Sequence, residues 1–289
     1  MKLYNRVNND ELKQRMLESN EPRITLSFYQ YHNIENPKAF RDELYRILNK
    51  DGVFGRIYIA SEGVNGQISV PEKQFEEFKK DLYSVPFLNG IRLNIAVDDD
   101  GKSFYKLKIK VRPKIVADGL DDSTFDPTDR GTALNAEKFN ELTDLPNTVI
   151  VDMRNHYESE VGHFKGAILP DVETFREALP LVEDMLKDRK EDNVIMYCTG
   201  GIRCEKAVPT TATRDLKMSS WSMEELLNMP ARRREGLENK FIGKNFVFDE
   251  RMGEKISEDV IAKCHQCGKA CDTHINCAND ACHIPFYSM

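Results

Sequence analysis

The sequence has no long hydrophobic run and no excess of positive charge. No apolar stretch is long enough to span a bilayer, and the first residues are polar and charged, without the apolar segment of a signal peptide. The formal net charge is −7 and the isoelectric point is about 5.5, so the chain is not a globally basic nucleic-acid protein. We therefore expect a cytoplasmic protein that binds neither membranes nor DNA.

Cysteines are few over most of the chain and crowded near its end. Of the seven cysteines, five lie between Cys264 and Cys282. This crowding is typical of metal binding or redox chemistry in a reducing compartment, rather than of a secreted disulfide framework. The length of 289 residues allows two or three small domains.

The first part of the chain, residues 22–118 after a lead of residues 1–21, predicts a small α+β domain. Its elements follow the order β-α-β-β-α-β, which is typical of a ferredoxin-like sandwich, and its residues suggest no catalytic constellation. We predict strands at residues 24–29, 56–60, 67–70 and 91–97, helices at residues 37–48 and 72–82, and a turn at residues 62–66.

The last strand of this part carries a stripe of positive charge. Apolar and basic residues alternate strictly from residue 106 to residue 112, so the cations share one face. On the residues alone, an edge strand kept soluble by lysines explains the stripe better, and a surface that contacts nucleic-acid phosphates is the alternative. The cations are Lys106, Lys108, Lys110 and Arg112.

The strongest signal is a short apolar run that ends in a cysteine. Residues 194–197 predict a buried parallel strand, and the sequence Cys-Thr-Gly-Gly-Ile-Arg follows at residues 198–203, before a helix that starts at Cys204. A sulfur at such a strand end faces the N–H groups of its loop, and these dipoles together with Arg203 favour the nucleophilic thiolate of Cys198. A buried structural cysteine is the alternative, and it fits the order of these features less well.

The loop resembles the active-site loop of rhodanese-type sulfurtransferases. Residues 149–155, Glu158 and residues 162–168 resemble the other signature of that fold. The six residues of the loop match the sulfur-handling members, because the related phosphatases have one residue more. The resemblance implies a rhodanese-like α/β domain with a parallel sheet at residues 146–240, after a linker at residues 119–145.

Nearly the whole chain is similar to a more specific family, the bacterial tRNA uridine(34) hydroxylases, rhodanese-domain proteins also known as the TrhO family. The resemblance implies oxygen-dependent conversion of uridine 34 in tRNA anticodons to 5-hydroxyuridine. The partner is then tRNA, molecular oxygen is the cosubstrate, and the redox partner stays open. The matching motifs lie at residues 60–66, 108–116, 198–207, 241–253 and 264–267.

The family's catalytic cysteine falls on Cys198, and we predict Arg203 as the second catalytic residue. Attack of the thiolate on C6 of uridine would make C5, the carbon that is hydroxylated, electron-rich. Cys204 could resolve an oxidised or persulfidic Cys198, but core packing explains it better. The predicted substrate-binding residues are Thr199, Gly200, Gly201 and Ile202 at the loop, and Lys106, Lys108, Lys110 and Arg112 on the basic strand.

One segment departs from the family. From residue 208 to residue 234 the resemblance stops, and Pro209 would break the helix that should hold the Cys198 loop. Back-translated one reading frame over, the segment becomes family-like, so we interpret it as the product of a paired frameshift. We expect the rhodanese sheet to lack its last strand and helices, and residues 284–289 to be a second disruption in a truncated C-terminus.

The last part, residues 241–289, is rich in cysteine and histidine. Its C-x2-C pair is followed by further Cys and His residues at a spacing that matches no standard zinc finger. We predict that this segment binds zinc, because a segment so poor in apolar residues needs a metal ion or a cross-link to fold. Reduced thiols on a flexible tail are the alternative. The candidate ligands are Cys264, Cys267, Cys277 and Cys282.

Three functions are therefore weighed. The leading prediction is tRNA hydroxylation. The second is a small-molecule sulfurtransferase that carries sulfur as a Cys198 persulfide, and the third is a tRNA-binding protein that is inactive because its rhodanese domain is disrupted. The basic strand and the added ferredoxin-like domain favour a macromolecular substrate over the second function.

Overall fold

The computed structural model describes residues 7–96, 100–120, 132–207, 217–222, 236, 238–249, 251–276 and 285–288. The chain divides into two units, of which the first comprises Met1–Val116 and Phe248–Arg251 and the second Ala117–Val247 and Met252–Met289. Among the described residues, no helix is long and apolar enough to cross a membrane.

The first unit is built on a five-stranded sheet. Its helices α2 and α3 bury apolar side chains in one shared core with the strands. The elements in chain order are α1 (Asn9–Glu18), β1 (Arg23–Tyr31), α2 (Pro37–Lys50), β2 (Phe54–Ala60), β3 (Gly63–Pro71), a 3-10 turn (Glu72–Gln74), α3 (Phe75–Tyr83), a second 3-10 turn (Pro86–Leu88), β4 (Asn94–Ile95) and β5 (Leu107–Val111).

The strand order β4-β1-β3-β2-β5 confirms the predicted ferredoxin-like arrangement and adds one strand to it. The first four strands pair antiparallel, and β5 runs parallel to β2 at the outer edge. The basic stripe is therefore on an edge strand, as the alternation predicted. The start of α2 also follows the prediction, because the Asn36 side chain accepts a hydrogen bond from the N–H of Ala39 at 3.1 Å.

The turn and the last strand predicted for the ferredoxin-like arrangement are shorter than expected. The turn predicted at residues 62–66 is shorter, because β3 already begins at Gly63 and the connection from β2 needs only residues 61–62. The glycine at position 66 serves close packing and not a turn, since a Cβ atom there would lie 2.8 Å from the ring of Phe28. Of the strand predicted at residues 91–97, the described residues form only Asn94–Ile95.

The second unit contains a four-stranded parallel sheet in the order β6-β10-β9-β7, which confirms the predicted rhodanese-like architecture. The strands of the whole second unit are β6 (Thr132–Ala133), β7 (Thr148–Asp152), β8 (Gly162–Phe164), β9 (Asn193–Cys198), β10 (Lys217–Ser222), β11 (Phe241–Asn245), β12 (Glu254–Lys255), β13 (His274–Asn276) and β14 (Pro285–Tyr287). Its helices are α4 (Ala136–Thr143), α5 (His156–Ser159), α6 (Phe175–Leu186) and α7 (Ile202–Ala207).

The structure corrects the expectation that this sheet lacks a strand after the cysteine loop. Six residues of the divergent segment form β10, which pairs in parallel with β9 along its length and with β6 on its other side. The helix α7 is described as far as Ala207, and Pro209, which we expected to break it, lies outside the described residues. Only the backbone of β10 is described in residues 208–234, and the other residues of this range lie outside the described residues. Of residues 284–289, Ile284 and Met289 lie outside them, whereas residues 286–288 are described.

The C-terminal part of this unit folds against the helix α5. β11 pairs antiparallel with β8 and with β12, and β13 with β14. The Tyr287 side chain is buried and donates a hydrogen bond to the carbonyl oxygen of Tyr157 in α5 at 2.6 Å. Phe246 packs edge-on against the Tyr157 ring, with 5.3 Å between the centroids. This segment therefore shares a small apolar core with Val161 and Tyr157 of the α5–β8 region.

Candidate active site

The predicted nucleophile lies at the end of the central strand of the parallel sheet. Cys198 is the last residue of β9, and its side chain is fully buried. The N–H group of Gly201 donates a hydrogen bond to its Sγ atom at 3.1 Å. Gly201 has a φ angle of +87°, which only glycine adopts readily, so a glycine is needed for the loop to curl around the sulfur.

The surroundings of Cys198 stabilise a thiolate. Burial alone would raise the pKa of Cys198, but the thiol of Cys204, the charge of Arg203 and backbone N–H groups of both residues outweigh it and lower the pKa to about 6. The pKa of Cys204 moves the opposite way, well above its ordinary value, because of burial and the neighbouring sulfur. Cys204 thus keeps its proton and donates it in a hydrogen bond to Cys198.

The guanidinium group of Arg203 is held by a carboxylate. Its two terminal nitrogens donate to the two oxygens of Glu158 at 2.6 and 2.7 Å, and both side chains are buried. The hydroxyl of Thr199 donates to the same carboxylate at 3.0 Å. Burial acts to raise the pKa of Glu158, but the charge and hydrogen bonds of Arg203 hold it below its ordinary value. Glu158 therefore links the start of the loop, at Thr199, to its end, at Arg203.

A second buried network supports the strand that carries Cys198. Arg154 donates to both carboxylate oxygens of Asp152 and, at 2.6 Å, to the carbonyl oxygen of Gly162. The hydroxyl of Tyr197 donates to Asp152 at 2.6 Å. Because Tyr197 directly precedes the cysteine, this network fixes the end of β9.

The structure brings the loop residues predicted to bind substrate around the sulfur. Thr199, Gly200 and Ile202 are half-buried, whereas Gly201 and Arg203 are buried behind them. The segment from Cys198 to the first turn of α7 therefore surrounds the sulfur compactly. Its more accessible side is formed by Thr199, Gly200 and Ile202. The cations of the basic strand lie in the first unit.

The basic strand has neighbours that its sequence pattern did not reveal. Arg56 and Tyr58 of β2 stand beside Lys108 and Lys110 of β5 in the parallel register, so they share their face. Lys106 contacts helix α1, because its ammonium group donates a hydrogen bond to the side chain of Asn9 at 2.5 Å.

The cysteine-rich segment forms a tight turn. The N–H of Gly268 donates to the carbonyl oxygen of Cys264, and the N–H of Cys264 donates to that of Lys269, both at 2.8 Å. Cys264 and Cys271 are buried and Cys267 is exposed, and these three cysteines are not part of a disulfide. Across the described ranges, no three Cys, His, Asp or Glu side chains are grouped so that they could hold a metal ion. Cys277 and Cys282 lie outside those ranges.

Three family models match consecutive parts of the chain. Residues 23–115 match the UPF0176 acylphosphatase like domain, residues 135–225 the Rhodanese-like domain and residues 242–288 the Rhodanase C-terminal domain. These matches, together with the cysteine loop at the end of a parallel strand, define a rhodanese-domain protein with an acylphosphatase-like domain before it.

Curated relatives match over almost the full chain. The tRNA uridine(34) hydroxylase of Pectobacterium atrosepticum is 58% identical over 287 residues, which cover 98% of this chain and 81% of that protein. The proteins of the same name from Photorhabdus laumondii and Yersinia pestis are 56% identical with the same coverage. The chain belongs to the tRNA uridine(34) hydroxylase family, which confirms the resemblance seen in the sequence.

Solved structures are less similar. A crystal structure of the BH2092 protein from Bacillus halodurans is 18% identical and covers 46% of this chain and 86% of that one, with a TM-score of 0.29. A score this low supports no argument about this chain.

Sequence reasoning missed the roles of several buried polar residues. Glu158 was noted only as part of a signature, although Asn155 three residues earlier forms a capping box with it, a motif that the sequence contains. For Cys204, core packing was preferred over a resolving role, and its hydrogen bond to Cys198 was not foreseen. Lys206 of α7 forms a fully buried ion pair with Asp118 at 3.1 Å. No local pattern predicts this pair, because its two residues are far apart in the chain.

Proposed function

We propose that this chain hydroxylates uridine 34 of tRNA to 5-hydroxyuridine, with molecular oxygen as cosubstrate. The observation that carries the proposal is the identity of 58% over 98% of the chain to a protein named tRNA uridine(34) hydroxylase. It favours hydroxylation over sulfur transfer and over an inactive tRNA-binding protein. Since tRNA is the substrate, the proposed compartment is the cytoplasm.

The proposed chemistry starts from the Cys198 thiolate. A thiolate with a pKa of about 6 is the major form at neutral pH, and it can add to C6 of the uracil ring. Addition there places electron density on C5, the carbon that receives the hydroxyl group. One oxygen atom of O2 goes to C5 and the other leaves as water, so the reaction also consumes a two-electron reductant. Loss of the C5 proton then breaks the C6–S bond, which restores the C5–C6 double bond and releases the Cys198 thiolate.

The remaining loop residues position the sulfur and the base. Arg203 is a positioning residue, because its guanidinium is bound by Glu158 while its charge still lowers the pKa of Cys198. We propose that Thr199, Gly200, Gly201 and Ile202 contact the uracil ring through the loop. We further propose that tRNA phosphates contact Lys106, Lys108, Lys110 and Arg112.

Zinc binding by Cys264, Cys267, Cys277 and Cys282 is a separate proposal. The tight turn after Cys264 presents two cysteines from one loop, which suits a tetrahedral thiolate site. The Nε2 atom of His274 is buried and has no hydrogen-bond partner among the described residues, and its pKa is lowered to about 4, first by burial. A neutral imidazole is a further donor of the type that zinc takes.

The test of the proposed function uses purified protein and an unmodified tRNA transcript. The reaction is run under labelled oxygen gas with an added reductant, and the nucleosides are analysed by mass spectrometry. We expect 5-hydroxyuridine that carries the heavy oxygen, and none under nitrogen. Thiolated uridine in place of 5-hydroxyuridine would instead identify a sulfurtransferase, and no modified nucleoside in any condition would refute an enzymatic role.

A further inference from the structure

One face of the sheet in the first unit is lined by polar, aromatic and basic side chains. The pairing of the strands sets two rows of neighbours across β1, β3, β2 and β5. The opposite face is closed, because it carries the apolar residues that pack with α2 and α3. The first row is Tyr29, Asn65, Tyr58 and Lys110, and the second is Ser27, Gln67, Arg56 and Lys108.

All eight side chains of these rows are half-buried or exposed, and neither row contains a carboxylate. The cations repel each other: burial and then the charges of Lys110 and Arg56 lower the pKa of Lys108. In the described part of the chain, no acidic group pairs with Arg56, Lys108 or Lys110. Cations crowded in this way on a protein of net charge −7 favour an anionic partner.

The two tyrosines add flat apolar surface between these charges. The Arg112 guanidinium lies 5.6 Å from the centroid of the Tyr58 ring, and the Tyr29 ring meets Tyr31 edge-on at 6.1 Å. Tyr29 and Tyr58 are two strands apart, which places their backbones about 10 Å from each other. Aromatic rings spaced along a groove with cations beside them are the elements that stack successive bases of a single strand and hold its phosphates.

We infer that this sheet face binds a single-stranded segment of the tRNA substrate, with bases stacked on Tyr29 and Tyr58 and phosphates held by Arg56, Lys108 and Lys110. The inference rests on the proposed function for the identity of the RNA. It goes beyond the basic strand, because it adds two aromatic residues and an arginine from strands β1 and β2. It also predicts the form of RNA bound, since paired bases cannot stack on a protein ring.

The solubilising role of an edge strand does not account for these rows. Lysines that protect an edge need only lie on the outermost strand. Here the polar and aromatic surface continues inward over three further strands, as far as Tyr29 on β1. A face of this kind is suited to a ligand that lies across the strands.

The experiment measures affinity for the unmodified tRNA transcript by fluorescence anisotropy, as a function of salt, in the full chain. In Tyr58→Leu we expect a loss of about 5- to 100-fold with the salt slope unchanged, because stacking is lost and the charges stay. Tyr58→Phe keeps the ring and should bind as the wild type. Tyr29→Leu and Tyr29→Phe provide a second, independent pair.

The charge arm uses the double variant R56Q/K108Q, which should weaken binding and reduce the slope of log affinity against log salt by about 1.4, two contacts of a single strand. The matched control K38Q/K80Q removes two exposed cations from α2 and α3 on the closed face, and should leave the slope unchanged. Oligouridine should compete with tRNA, and a blunt RNA duplex of equal phosphate number should not.

Two results would overturn the inference: wild-type affinity in both leucine variants, or equal competition by duplex and oligouridine. Each variant is also assayed for 5-hydroxyuridine. If the wild type produces it and the leucine variants bind and react normally, the inference fails and the proposed function stands. If the wild type produces none, the proposed function fails, and the binding data still decide whether this face binds single-stranded RNA.

Discussion

The hydrogen bond between Cys204 and Cys198 is the contact whose loss should change the chemistry of the nucleophile most clearly. In C204A the donor is removed, and the thiolate of Cys198 is left with Arg203 and the backbone N–H groups. In C204S a hydroxyl donor of nearly the same size remains. Both variants remove the second thiol, so a difference between them isolates the hydrogen bond from redox chemistry.

The magnitude follows from the strength of such bonds. A hydrogen bond to a charged group contributes about 1.5–3 kcal/mol, and a thiol is a weak donor, so the lower figure applies. At about 1.4 kcal/mol for each pKa unit, the pKa of Cys198 should rise from about 6 to about 7 in C204A and stay near 6 in C204S. At pH 6 the thiolate fraction then falls about fivefold in C204A.

The assay is the rate of Cys198 alkylation by iodoacetamide against pH. Trypsin cleaves after Arg203, so Cys198 and Cys204 fall in separate peptides and mass spectrometry follows Cys198 alone. Because Cys198 is buried, the absolute rate depends on access, and only the midpoint of the pH profile is compared. Equal midpoints in the wild type, C204A and C204S would refute the role given to Cys204.

Three further predictions test other parts of the structure. E158Q leaves Arg203 buried without its carboxylate and should lower the free energy of unfolding, measured in urea, by about 3–5 kcal/mol, whereas E183Q on the exposed side of α6 should change it by less than about 0.5 kcal/mol. The quadruple variant K106Q/K108Q/K110Q/R112Q should weaken tRNA binding and flatten its salt dependence while the alkylation of Cys198 stays unchanged, and an unaltered salt slope would assign the stripe to solubility alone. Protein purified without chelators should contain stoichiometric zinc by metal analysis, and freely titratable cysteines without zinc would leave only the thiol-tail interpretation.

The fold could be predicted from the sequence where a local pattern decides it. The capped helix after Asn36, the alternating strand that became β5 and the apolar run before Cys198 each contain their own signal. The length of β3 could not be predicted, because its glycines look like turn residues, whereas Gly66 is required by the packing of Phe28 and Gly63 by the close backbone of Gln30. The strand β10 was missed because its segment has no family pattern, and pairing with β9 and β6 depends on residues far away in the chain.

The position of the predicted nucleophile and the shape of its loop could be derived from the sequence, whereas the residues that support them could not. Cys198 and the curl at Gly201 follow from a short motif. The partners of that motif come from distant strands and helices, so spacing alone did not reveal that Arg203 binds Glu158 or that Tyr197 binds Asp152. The same limit applies to Arg56, which is beside Lys108 only through the register of β2 with β5.

The most direct test of the central claim, that Cys198 carries the hydroxylation of uridine 34, compares C198A with the wild type and with C271A. C271A removes a cysteine of the C-terminal segment that is not among the proposed zinc ligands, and it serves as the matched control. Each protein is incubated with unmodified tRNA, oxygen and reductant, and 5-hydroxyuridine is quantified by mass spectrometry. We expect the product with the wild type and C271A and none with C198A, which should still bind tRNA. Full hydroxylation by C198A would contradict the account.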